Sequence, residues 1–172
     1  MKRFVKYVTF VVILLLLCGC GKSDTVEVAD TNGDGVLTCT LEIRCDTLLE
    51  NLDQLTKEKA ALVPEDGTLL TVTEVEFTGG NTVFDVFRQT LREQKIHFEY
   101  VDASAYDSVY IEGIGNLYEF DCGPQSGWMY SVNGTYPGLG CYGYTLADGD
   151  VIVFSYTLNL GSDLGAEKLY EE

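Results

Sequence analysis

Apolar and polar positions alternate along residues 37–45, LTCTLEIRC, so that Cys39, Leu41 and Ile43 share one face. A period of two predicts a half-buried strand there. The period then changes. Thr47 and Glu50 stand at capping-box spacing, and Leu48, Leu52 and Leu55 recur at helical intervals, which predicts a short amphipathic helix over about 48–58. Pro64 to Gly67 read as a turn, and TLLTVTEVEF after it is rich in strand formers and ends at Gly79-Gly80. The main helix is predicted over about 83–94. Thr82 and Asp85 are in N-cap and N3 relation, and Val83, Val86, Phe87 and Leu91 form one stripe opposite Arg88, Gln89, Arg92 and Glu93.

From Ile96 onward the pattern is of strands and turns: IHFEYV, SVYIEGI, NLYEF, GWMYSV and DVIVFSYTL. The last sets Ile152, Phe154, Tyr156 and Leu158 on one face. In GWMYSV, Trp128, Tyr130 and Val132 share one face and Met129 and Ser131 the other. Asn133-Gly134 favours a two-residue type I′ turn that sets Val132 opposite Thr135. Pro137 has no N–H to donate, so the return strand is short or at an edge. Together these elements predict a single compact α+β domain with one or two helices on one side of its strands.

The first twenty residues follow a different rule. Lys2, Arg3 and Lys6 precede an apolar run from Tyr7 to Leu17. That run is too short for a hydrocarbon core about 30 Å thick, which needs about 20 residues. A charged head, a short apolar middle and a small-residue end make a secretory signal. Leu17-Cys18-Gly19-Cys20 resembles the bacterial lipobox, which implies cleavage after residue 19 and a diacylglycerol on the Cys20 thiol. Residues 20–37 then read as an acidic tether, 38–165 as the domain and 166–172 as an acidic tail.

Removal of residues 1–19 leaves eight basic against 27 acidic residues, a charge of −19. So acidic a surface repels nucleic acid and anionic lipid, and leaves the lipid anchor as the means of membrane association. Cys39, Cys45, Cys122 and Cys141 remain after Cys20 and permit two disulfides in three connectivities. Six strand residues span about 20 Å, so Cys39 and Cys45 do not pair without a fold-back. A Cys122–Cys141 bridge would close the loop carrying the only tryptophan. All four remain reduced in an anaerobic habitat.

Candidate chemistry is sparse. Asp30, Asn32 and Asp34 fit the first positions of a calcium loop, yet position twelve is Leu41 and no helix precedes it, so a plain turn explains them as well. No C-x-x-C occurs and His97 is the only histidine, which excludes a zinc site of the usual kind. The same lone imidazole, on an apparent strand, makes serine or cysteine catalysis a poor fit, and no phosphate loop is present. The expectation is a protein that is not an enzyme and needs no metal.

GNTVFDVF, then YIEGIGNLYEFDCGPQSGWMYSVNG, then YPGLGCYGYTLADGDVIVFSYT form an ordered pattern. It resembles the transcobalamin C-terminal-like domain of exported Gram-positive proteins, over about residues 38–165. The resemblance implies a β-grasp-like fold with a mostly antiparallel sheet. In the animal cobalamin carriers of that family the equivalent domain closes over one face of a corrinoid. Gly127-Trp128, Gly140 to Tyr144 and Gly149-Asp150 stand at the matching places. The carriers also use an α-helical barrel, for which these 172 residues have no counterpart. The expected role is therefore a corrinoid half-site on Trp128, Tyr130, Tyr136, Tyr142 and Tyr144, completed by a second chain or copy. A surface interaction module for a protein or wall polymer is the alternative. Trp128 fits either a core anchor or a ligand platform; Tyr136, Tyr142 and Tyr144, on turns, lean to the surface.

Overall fold

The computed structural model describes residues 35–103 and 108–166. The signal, Cys20, the calcium candidates Asp30, Asn32 and Asp34, and residues 167–172 lie outside the described residues.

Strand β1 (Leu37–Arg44) buries Cys39, Leu41 and Ile43 on one face, as their alternation predicts. It is an inner strand. It pairs antiparallel with β2 (Thr68–Phe77) on one side and parallel with β7 (Val151–Thr157) on the other. Strand β6 (Gly127–Val132) adds antiparallel to β7, which gives the order β2-β1-β7-β6 with β6 at an edge. A second, antiparallel sheet holds β3 (Phe98–Ala103), β4 (Ser108–Ile114) and β5 (Leu117–Tyr118) in the order β3-β4-β5. The described chain is thus a small α+β domain.

Between Arg44 and β2 the chain makes two 3₁₀ turns, Asp46–Leu48 and Leu52–Gln54, and then a short helix α1 (Lys57–Ala60). The second helix therefore exists but is shorter and later than 48–58. The Thr47 hydroxyl donates to the Tyr156 carbonyl at 2.7 Å instead of capping a helix. Thr56 is the residue that caps, accepting from the Lys59 N–H at 3.3 Å. Leu48 and Leu55 still reach the core while Leu52 does not, so the apolar spacing serves burial without a continuous helix.

Helix α2 (Val83–Gln94) has the predicted bounds. Thr82 accepts from the Asp85 N–H at 3.2 Å, and the Asp85 carboxylate accepts from the Thr82 N–H at 3.0 Å. This reciprocal cap satisfies two donors that a helix start leaves orphaned. The stripe of Val83, Val86, Phe87 and Leu91 is buried against the sheet, with the Phe87 and Phe154 rings 4.5 Å apart.

The Asn133-Gly134 turn forms as expected. Both residues have positive φ, 52° and 76°. The Val132 N–H donates to the Thr135 carbonyl at 2.9 Å, and the Thr135 N–H returns a bond to the Val132 carbonyl at 3.0 Å. The return strand stops at that single bridge.

Candidate functional site

Beside this hairpin lies an open groove of about 210 Å³ between β4 and β6. Val109, Tyr110 and Ile111 line it from β4, and Trp128, Met129 and Tyr130 from β6. Phe154 forms its floor, and Pro137, Leu139 and Gly140 of the chain after the hairpin form its rim. Gly140 is needed there, because a Cβ would fall 2.5 Å from Ser108 Oγ at the start of β4. A second hollow of about 130 Å³ shares Tyr110, Trp128 and Met129, and adds the exposed side chains Phe120 and Leu160.

The aromatic residues singled out in the sequence do not converge on one site. Trp128 and Tyr130 line the groove; Tyr136, Tyr142 and Tyr144 do not. Trp128 is only 7 % exposed and packs edge-on against Tyr156, their ring centroids 5.2 Å apart. Its indole N–H donates to the Leu117 carbonyl at 2.9 Å, joining the two sheets. It is chiefly a core anchor whose ring shows one edge to the groove. Tyr130 is half-buried, stacks on Phe154, and donates its phenol O–H to the Leu139 carbonyl at 2.8 Å. Burial pushes its pKa up, with the Cys141 and Tyr144 neighbours adding to the shift. Tyr136 is half-buried beside Ser155.

The glycine-rich loop with Tyr142 and Tyr144 has a structural task. The first N–H groups of α2 need acceptors. The Val83 N–H donates to the Tyr144 carbonyl and the Phe84 N–H to the Cys141 carbonyl, both at 3.0 Å. Tyr142 then sits exposed, its ring edge-on to Phe84 at 6.4 Å between centroids.

The four cysteines described are free and buried. The Cys122–Cys141 bridge suggested by the sequence is not formed. Cys141 Sγ donates to the Val109 carbonyl at 3.6 Å under the groove, whereas Cys122 Sγ approaches the Asn51 carbonyl and Gln54 Oε1, both at 3.9 Å. Burial pushes the Cys141 thiol up to about 12, so it is neither a nucleophile nor a thiolate ligand near neutral pH.

Tyr110 and Leu139 are groove residues that sequence reasoning missed. The alternation of SVYIEGI carries the signal, since it places Tyr110 with Glu112 on the face opposite buried Val109 and Ile111. An outward aromatic on a strand otherwise tied into the core marks a wall. The Tyr110 hydroxyl donates to the Glu119 carboxylate. Burial first, then that carboxylate, raises its pKa. His97 lies elsewhere, on an exposed face, with Nε2 3.0 Å from Glu99 Oε1 and 3.2 Å from the Tyr118 hydroxyl. No serine, threonine or cysteine is among those partners. Among the described residues no group of three or more His, Cys, Asp or Glu is arranged to hold a metal ion.

Residues 80–157 match the family DUF4430, described as a domain of unknown function. Comparison with curated proteins finds no match. Among solved structures, haptocorrin in complex with Cbi aligns at a TM-score of 0.53 with 14% identity, over 73% of this chain and 26% of that one. The chain thus spans about a quarter of haptocorrin's length. A structure from Ruminococcus gnavus ATCC 29149 aligns at a TM-score of 0.39 with 12% identity, over 70% of this chain and 96% of that one. That second alignment is too loose to bear on the fold. The haptocorrin alignment and the family match agree with the transcobalamin C-terminal-like resemblance carried by the sequence motifs.

Proposed function

We propose that the chain is a lipid-anchored, extracytoplasmic module that binds a ligand rather than transforming one, and that its ligand is a corrinoid. One observation carries this reading: the apolar groove between β4 and β6 is cut into the stretch that bears the family motifs. The fold likeness to haptocorrin, itself in complex with Cbi, supports the ligand class. Apolar walls with few polar groups suit the flat face of a macrocycle. At about 210 Å³ the groove takes one edge or face of a macrocycle and cannot enclose it. A second chain or second copy would then cover the part of the macrocycle that the groove leaves exposed.

Equilibrium titration of the purified protein with cobalamin and cobinamide is the test, followed by the fluorescence of Trp128, the only tryptophan. Saturable quenching is expected, and Leu139→Asp on the exposed rim should weaken it. Absence of binding at high micromolar concentration, by monomer or oligomer, overturns the ligand. The anchor is tested separately. Cys20→Ser should move the protein from the detergent phase to the aqueous phase on phase separation.

A further inference from the structure

Strand β6 is an edge strand whose outer side is unpaired beyond its turn. The ladder fixes which groups face outward. In an antiparallel pair the N–H and C=O of one residue point to the same side, and successive residues alternate. The Val132 N–H and C=O both bond Thr135, on the side away from β7, while the Asn133 N–H reaches the Val151 carbonyl on the β7 side at 2.9 Å. Tyr130 and Trp128 are two and four residues before Val132, so their N–H and C=O groups also point away from β7. Among the described residues nothing bonds those backbone groups. The reason lies in the sequence: the hairpin register would next set Tyr130 opposite Pro137, which has no N–H to give.

These four backbone groups belong to residues that line the groove. Its phenols are already engaged, Tyr110 with Glu119 and Tyr130 with the Leu139 carbonyl. What the groove offers a ligand is therefore an apolar wall beside a free strand edge. Two residues along a strand repeat at about 6.8 Å, which is the spacing of alternate amides in another extended chain. No charged residue of either sign is in the lining, and the charges placed beside its wall are carboxylates, Glu112 and Glu119 at Tyr110.

We propose that the free edge of β6 at Trp128 and Tyr130 takes up an extended segment of a partner polypeptide by strand addition, and that the segment alternates apolar residues with lysine or arginine. Backbone bonds to Trp128 and Tyr130 set its register, the groove receives its apolar side chains, and the acidic surroundings select its charge. This partner is distinct from the small-molecule ligand proposed above and does not depend on it.

A random peptide library panned against the purified protein tests the idea. Enriched peptides should carry basic residues and alternate apolar positions. In ¹⁵N-labelled protein such a peptide should slow amide exchange at Trp128 and Tyr130 at least about tenfold, while Met129 and Ser131, already bonded to β7, change little. N-methylation of alternate peptide residues should abolish binding. Pro137→Val restores a donor opposite Tyr130, so the hairpin closes on its own edge and peptide affinity should fall. No enrichment, acidic consensus peptides, or binding that leaves those two amides unprotected each overturn the proposal. If cobinamide protects Trp128 and Tyr130 and no peptide does, strand addition falls while the corrinoid reading stands.

Discussion

Asn133 Nδ2 donates to Asp150 Oδ1 at 2.8 Å and ties the tip of the β6 hairpin to the turn that starts β7. The other carboxylate oxygen of Asp150 accepts from the Ala147 N–H at 2.9 Å, and the Val151 N–H donates to Asn133 Oδ1 at 2.9 Å. Asp150 is buried. Hydrogen bonds to a charged group contribute about 1.5–3 kcal/mol each, and their loss leaves donors stranded. Asp150→Ala should therefore destabilise the domain by about 2–4 kcal/mol in urea unfolding. The Gly-Asp motif before β7 is thus structural, and a variant as stable as the parent would refute that role.

Gly134 adjoins the same junction with φ at 76°, where a Cβ is disfavoured. Nothing crowds the site, so only backbone conformation is at stake. Gly134→Ala should cost about 1–2 kcal/mol. Asn133, also at positive φ, is held there by the bonds of its amide to Asp150 and to the Val151 N–H across the junction. Asn133→Gly separates the two effects. It relaxes the backbone but loses the Asp150 contact, and thermal unfolding should rank it below the parent.

At the start of α2, Thr82 and Asp85 form the reciprocal cap in full. Thr82→Ala removes the acceptor for the Asp85 N–H and should lower stability by about 1 kcal/mol, whereas Thr82→Ser should be near neutral. Both follow from urea midpoints at unchanged m-value. An equal loss in the serine variant would assign the effect to the Thr82 methyl group instead of the cap.

The elements just probed were legible because their signals are local. Thr82 to Asp85, Asn133-Gly134, and the alternation of Cys39, Leu41 and Ile43 each state a rule that one segment can satisfy alone. The helix expected over 48–58 followed the same logic and came out shorter, because a distant carbonyl, that of Tyr156, claims the Thr47 hydroxyl. The groove was half legible. Trp128 and Tyr130 were visible as aromatic residues on an edge hairpin, but Tyr110 meets them only through the packing of one sheet beside another, and Leu139 only through the path of the loop after the hairpin. Tyr142 and Tyr144 lie apart from the groove. A run of glycines and tyrosines resembles a contact surface, yet here the loop backbone supplies carbonyls to the first N–H groups of α2.

The buried thiols make stability depend on alkaline pH. Burial pushes Cys39 up to about 11, with the Asp150 charge adding to it, and pushes Cys45 and Cys141 up to about 12, all from an ordinary 9.0. Below pH 9 the thiols are protonated in folded and unfolded chains alike, and their full contribution is present. Above it the unfolded chain loses protons that the folded chain keeps, so the unfolded state gains. Stability should then fall from about pH 9 toward 11–12, at about 1.4 kcal/mol per pH unit for each such thiol. Urea midpoints across that range measure the slope. Alkylation with iodoacetamide at pH 8 checks the cause. Cys39, Cys45 and Cys141 should stay unmodified in the folded protein and react once it is unfolded in urea. Rapid modification of Cys141 without unfolding would mean that the floor of the groove opens to solvent.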